Sequence, residues 1–442
     1  MGSDGVGWLV QHQIRPIMID GVSQDNPISP GEPIGRSDRL GRYYTNSNVG
    51  SLLVNQMSGV QPTCVLDLGA GSGALSRAAA VRWNKAHLVT VDIDLSSRRH
   101  LTDIAASGRR HLHIRADALD RRLPDHIRKK VAAIDTAICN PPFVTPVWRT
   151  AFGEILEDAG LSGCIPVSGT IDAALVFLAQ NLRVLHATGT LGIILPDTLA
   201  CAAKYQVFRQ TLLERYCVHR AIRLSRDSFK NTDALAHIVI ISKSGDNAGR
   251  VSLQLMPNSY GEVPEVRVDF EQAAKRLDHA YHSQPTRTAR RRHRSARLGD
   301  VCEISRGTVS SADRRNLSYP VVHTSDLDVR KRGKWCNLRP NSPPHSFYAD
   351  RHLVQAQAGD ILVARVGRNL EGKIVGVRCG NPVLTDCVYR LRAPRQYRQD
   401  ILEQLGGQRG RTWLESRAYG VSAKHLTKAD LADFPLSLLL KS

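Results

Sequence analysis

The segment Asn140-Pro141-Pro142-Phe143 bears most directly on chemistry in this chain of 442 residues. It follows the apolar stretch Ala133–Cys139, which reads as a strand, and α/β folds place reactive loops at the carboxyl ends of such strands. Two adjacent prolines fix φ and bias the residue before them away from helix, so the loop is stiff. The Asn140 side-chain oxygen and the Pro141 carbonyl are then two rigid, neutral acceptors for the two N–H groups of a planar amino group. An exocyclic amino group conjugated to a purine is a poor nucleophile. Accepting both of its hydrogen bonds shifts electron density toward a lone pair that can attack. Phe143 offers a face on which a base can stack, and a base inside a duplex must be flipped out to reach it. Cys139 reads as a buried strand residue, since this chemistry needs no thiol nucleophile.

About seventy residues upstream, Val65-Leu66-Asp67-Leu68-Gly69-Ala70-Gly71-Ser72-Gly73 runs from a strand into a loop with a glycine at every second position. Glycines there let backbone approach a ligand closely. Such a loop also suits a dinucleotide pyrophosphate, but Asp67 would repel that group and could instead accept from the ammonium of a bound methionine moiety. The pair Asp92 and Asp94 ends the next strand, where a carboxylate can accept both ribose hydroxyls; Asp92 is the first choice and Asp94 the second. After the third strand, Asp117 offers an acceptor for an adenine amino group, or caps a turn, with Ala118 and Leu119 to cover the ring.

Positioning these residues requires strands linked by crossover helices. From Val65 to Lys243 short β-branched runs alternate with helical periodicity, which implies a doubly wound, mostly parallel α/β sheet of Rossmann-like kind. The expected strands are Cys64–Leu68, His87–Asp92, Leu112–Arg115, Ala133–Cys139, Thr190–Leu195, Val218–Leu224 and His237–Ser242. The expected helices are Ala74–Trp83, Ala173–His186 and Lys204–Tyr216. A lapse in periodicity with Arg290-Arg291-Arg292-His293-Arg294 marks residues 279–297 as a basic linker. It separates a first domain, residues 1–278 with an extension over 1–40, from a smaller basic α/β domain over 298–442.

The formal charge is +19, and residues 281–442 hold about 29 Lys and Arg against about 14 Asp and Glu. The C-terminal third is therefore the part expected to face a polyanion. No apolar run is long enough to span a bilayer, so no membrane role is expected. The first twenty residues lack the features of a secretory signal, and a cytoplasmic protein is expected. Nine scattered cysteines without a C-x-x-C pair fit reduced thiols rather than a zinc site or a disulfide framework, and no metal is expected.

The strand ending in Asp67 with its glycine loop resembles the first motif of class I S-adenosylmethionine-dependent methyltransferases. With Asn140–Phe143 in the right order after it, the chain resembles the γ-type N6-adenine DNA methyltransferases. The resemblance implies S-adenosylmethionine as methyl donor, a flipped adenine as acceptor, and in-line attack on the sulfonium methyl without a covalent enzyme intermediate. It also implies that Gly41–Asn46, through Tyr44 and Thr45, contacts the methionine end, although the family usually has Pro where Asn46 stands. Phe229, in Asp227–Thr232, matches an aromatic that packs on the flipped base in that family; a plain core role is the alternative.

Beyond Leu298, the segments Leu298–Ile304, Gly359–Arg365, Gly372–Ile374 and Leu426–Leu431 resemble the target recognition domains of type I restriction specificity subunits. That resemblance implies double-stranded DNA as partner and a separate restriction or defence subunit as a further one. Arg365, Arg368, Lys373 and Lys424 are the expected DNA contacts. RNA adenine and protein glutamine methyltransferases share the Asn-Pro-Pro motif, and a silent DNA-binding subunit of a modification complex is the reading from outside enzymes.

Overall fold

The computed structural model describes residues 46–108, 110–166, 169–229, 232–246, 248–256, 265–284, 295–317, 321–338 and 353–437. The expected extension over 1–40, Tyr44, Thr45 and the run Arg290–Arg294 lie outside them. The described residues belong to one compact unit.

Nine strands build the main sheet: β1 (Cys64–Leu68), β2 (His87–Asp92), β3 (His111–Arg115), β4 (Ile134–Cys139), β5 (Leu185–Pro196), β6 (Cys217–Arg223), β7 (Ala236–Ser242), β8 (Arg250–Leu255) and β9 (Val266–Asp269). Their order is β3-β2-β1-β4-β5-β7-β6-β8-β9. The run from β3 to β5 is parallel, whereas β7 is antiparallel to both of its neighbours. The seven strands expected from the sequence are all present, within a few residues at their ends. Two further strands, β8 and the edge strand β9, extend the sheet beyond the expected seven. β8 alternates Val251, Leu253 and Leu255 with Arg250, Ser252 and Gln254, but only Val251 and Leu253 are buried, and β9 is four residues long with none buried.

Chain order reverses between β1 and β4, which lie side by side at the centre. Pairings such as Leu68 with Val91, Val91 with Ile114 and Cys139 with Ile193 align the carboxyl ends of β1 to β5 along one edge. A crevice opens at such a switch point because the connections leave toward opposite faces. One face is covered by a core that includes Phe152, Leu175 and Phe208, from the helices Ala151–Asp158, Ala173–Val184 and Gln206–Arg215. The other is covered by Val49, Leu53, Leu75 and Ala79, from Ser47–Gln56 and Ala74–Arg82.

A second sheet has the order Glu303–Arg306, Val388–Arg392, Ile361–Ala364, Ile374–Cys379, Lys334–Asn337, and a separate core around Leu362, Val375 and Leu414. It is joined to the main sheet by buried polar links. Arg276 pairs with Asp430 at 2.7 Å and donates to the Arg417 carbonyl. The Gly420 N–H donates to Asp197, and the Leu235 N–H to the Val421 carbonyl. Among the described residues no helix is long and apolar enough to cross a membrane.

Candidate active site

A cavity of about 610 Å³ opens at the carboxyl edge of β1, β2 and β4 and is lined by Asp67, Gly69, Gly71, Asp92, Asp117, Asn140, Pro141 and Pro142. The alignment of strand ends brings these residues together from segments as far apart as Asp67 and Pro142.

The glycine loop is shaped by backbone conformation. Gly69 and Gly73 have φ of 80° and 83°, in the left-handed region. A Cβ on Gly73 would lie 2.5 Å from Leu101 Cδ2, and one on Gly69 would press on Phe177 at 3.0 Å. Gly73 is the residue from which the helix Ala74–Arg82 starts and does not itself line the cavity.

Asp67 is 1% exposed. Its Oδ2 accepts from Ser76 Oγ at 2.5 Å, while its buried Oδ1 has no hydrogen-bond partner among the described residues. Burial lifts the carboxyl to about 7, helped by the charge of Asp92 and opposed by the Ser76 hydrogen bond. A buried carboxylate oxygen without a donor fits a cationic group entering from the cavity.

Asp92 Oδ2 accepts from the Gly71 N–H at 2.7 Å and its Oδ1 from the Asp94 N–H at 2.8 Å, so this carboxylate also fixes the glycine loop. Asp94, the second choice, caps the helix Leu95–His100 through the Ser96 N–H and is not part of the cavity wall. Asp117 caps a turn, its Oδ1 accepting from the Leu119 N–H at 2.9 Å, and it lines the cavity. Its Oδ2 accepts from Arg149 Nη1 at 2.7 Å. Arg149 was not anticipated, because nothing in the sequence joins an arginine to an aspartate thirty-two positions away.

Phe143 stands outside the cavity wall, edge-on to Phe229 with ring centroids 6.0 Å apart and planes at 79°. Phe229 is buried, and both rings pack on the same face of the sheet. The Asn46 N–H donates to the Ser228 carbonyl at 3.2 Å, tying the residue next to Tyr44 and Thr45 to the Phe229 segment. Cys139 is fully buried with its Sγ 3.1 Å from the Leu68 carbonyl, and burial pushes its thiol far up, with the Asp67 charge adding to it. It is a packing residue.

The four expected nucleic-acid contacts separate. Arg368 is exposed, its guanidinium 3.7 Å from Asp233. Arg365 and Lys373 are half-buried, with Arg365 Nη1 donating to the Asp386 carbonyl at 2.9 Å. Lys424 contradicts the expectation. It is 2% exposed, paired through its backbone with Gly367, and burial draws its ammonium below the usual value. Its lysine identity suggested surface; its place in a covered strand removes it from any phosphate.

Asp197, Cys201 and His237 are the one group of metal-ligand types within mutual reach among the described residues. His237 Nε2 lies 2.9 Å from Asp197 Oδ1, and Asp197 Oδ2 takes the Gly420 N–H, so the carboxylate is engaged within the protein.

The strand order and the cavity at its switch point define an α/β Rossmann-like fold. The chain belongs to the N-6 DNA methylase family, whose model matches residues 35–304. It is similar to a tRNA1(Val) (adenine(37)-N6)-methyltransferase of Flavobacterium psychrophilum, 26% identical over 135 residues, covering 30% of this chain and 53% of that protein. Among solved structures, the type IIG restriction endonuclease BpuSI aligns with a TM-score of 0.49 at 14% identity, over 91% of this chain and 59% of that one. A type I restriction-modification methyltransferase subunit from Streptococcus thermophilus aligns with a TM-score of 0.43 at 18% identity, over 55% and 59%. The chain thus spans little more than half the length of these relatives.

Proposed function

We propose that this chain transfers a methyl group from S-adenosylmethionine to the exocyclic N6 of a flipped-out adenine in double-stranded DNA. The observation that carries this reading is the shared cavity of Asp67 and Asn140: a buried carboxylate suited to an ammonium faces the same space as a rigid Asn-Pro-Pro loop. When bound, S-adenosylmethionine supplies the electrophilic methyl. Asp67 would take the ammonium of its methionine part, Asp92 the ribose and Asp117 the adenine amino group. The Asn140 side-chain oxygen and Pro141 carbonyl would accept both N–H groups of the target amine, and Phe143 would stack on the base with the buried Phe229 edge-on behind it. Tyr44 and Thr45 are proposed at the methionine end.

The basic part beyond residue 298 is proposed as the target recognition domain, with Arg365, Arg368 and Lys373 on DNA and a separate restriction or defence subunit as partner. The likeness to a tRNA adenine-N6 methyltransferase supports RNA as the second reading. Incubation with methyl-tritiated S-adenosylmethionine and either duplex DNA or tRNA, followed by nucleoside analysis, separates the two. N6-methyldeoxyadenosine is the expected product; label confined to RNA or protein overturns the DNA reading.

A further inference from the structure

The Asp117–Arg149 pair has a geometry that the cofactor reading does not use. Asp117 follows β3 and Arg149 follows the Asn140–Phe143 loop, so the 2.7 Å ion pair joins two segments of the cavity wall. The Leu119 N–H is already given to Asp117 Oδ1 and the Arg149 Nη1 donor to Oδ2. A carboxylate oxygen has two lone-pair sites, so Oδ2 can accept one donor more. The guanidinium carries five N–H donors, and the Arg149 side chain is 48% exposed, which leaves part of that fork accessible beside the carboxylate. The pair therefore presents an acceptor and a donor next to each other. Adenine carries the complement, a 6-amino donor beside the N1 acceptor.

We propose that Arg149 is a specificity-determining residue that donates to N1 of the cofactor's adenine while Asp117 accepts from its 6-amino group. The assignment rests on the functional reading above. It makes the stretch after the Asn140–Phe143 loop part of nucleoside recognition, so one segment touches both the methyl acceptor and the donor's base. Pro146 and Val147, on the same stretch, line the cavity beside Arg149 and bring apolar surface to the ring.

The test is calorimetric binding of S-adenosylhomocysteine and its 1-deaza analogue, in which N1 is a C–H, to the full chain and to Arg149→Met. Wild type is expected to prefer S-adenosylhomocysteine by about tenfold, the usual worth of a hydrogen bond to a charged group. Arg149→Met is expected to lose about that factor for S-adenosylhomocysteine and to bind both compounds alike. Wild-type affinity and preference retained in Arg149→Met overturn the assignment, as does wild type binding both compounds equally. Failure of wild type to bind either overturns the functional reading and this assignment with it.

Discussion

The backbone N–H of Gly420 donates to Oδ2 of Asp197 at 2.6 Å, joining residues 223 positions apart inside the protein. Asp197 follows β5 at the edge that carries the cavity, and Gly420 lies two residues beyond Ala418 of the second core. Burial by itself would raise the Asp197 carboxyl. The His237 hydrogen bond and the charges of His237 and Arg223 instead hold it well below the usual carboxylate range. Gly420 has φ of 138°, and a Cβ there would lie 2.2 Å from the Ala423 carbonyl oxygen. Gly420→Ala is therefore expected to cost about 3 kcal/mol in urea unfolding. Gly59→Ala, at φ of 83° with open space around it, should cost about 1 kcal/mol. Equal costs would show that the Asp197 junction does not depend on Gly420.

Asn140→Ala removes one of the two proposed acceptors and leaves the Asp67, Asp92 and Asp117 carboxylates in place. Methyl transfer should fall by about 100- to 1000-fold, while the dissociation constant for S-adenosylmethionine changes by no more than about threefold. Single-turnover transfer and equilibrium binding measure the two separately. A matched loss in both would make Asn140 a cofactor residue.

Arg368 and Lys424 predict opposite phenotypes. Arg368 is exposed with a loose partner in Asp233, so Arg368→Gln should weaken DNA binding and reduce the slope of log affinity against log salt by about 1. Lys424 is buried among residues of the second sheet's surroundings, so Lys424→Gln should lower the thermal midpoint without changing that slope. Fluorescence titrations over a salt series check both. An unchanged slope for Arg368→Gln would remove it from the interface.

The contrast between these two residues also marks what a linear sequence carries. The apolar runs of β1 to β7 are long enough to read directly, and Asp67, Asp92 and Asn140 are legible because strand ends fix their neighbourhood. Interactions between distant segments leave no such trace. Arg149 meets Asp117, Gly420 meets Asp197, and Lys424 is covered only after the second sheet packs. The strands β8 and β9 are harder to read because they are short and half-covered: β8 buries only Val251 and Leu253, and β9 buries none of its four residues.

Arg209 belongs to the same unreadable class. In the helix Gln206–Arg215 it looks like a surface cation, yet it is fully buried and donates to the carbonyls of Ala274, Leu199, Ala202 and Lys275 at 2.7 to 2.9 Å. Burial lowers its guanidinium to about 10. Arg209→Met would remove the arginine donors of four carbonyls, of which that of Ala202 keeps the Tyr205 N–H, and should cost about 4 kcal/mol. Urea unfolding checks it; a loss under about 1 kcal/mol would mean that those carbonyls find other donors.

Asp67 links the site to pH. Its carboxyl is raised to about 7 in the folded chain, against 3.8 for an ordinary aspartate. Between those values the folded state holds a proton that the unfolded state releases, so the contribution is fully present below about pH 4 and is lost as pH rises through about 7. Asp67→Asn should remove that slope from the stability profile of the ligand-free chain. Cofactor binding is expected to run the other way, because only the carboxylate can pair with an ammonium. Affinity should rise as pH increases toward about 7 and level off above it, with a proton released on binding below that point. Calorimetry at pH 6 in two buffers of different ionisation enthalpy counts the proton directly. Binding that releases none in wild type, or the same number in Asp67→Asn, would separate Asp67 from the ammonium.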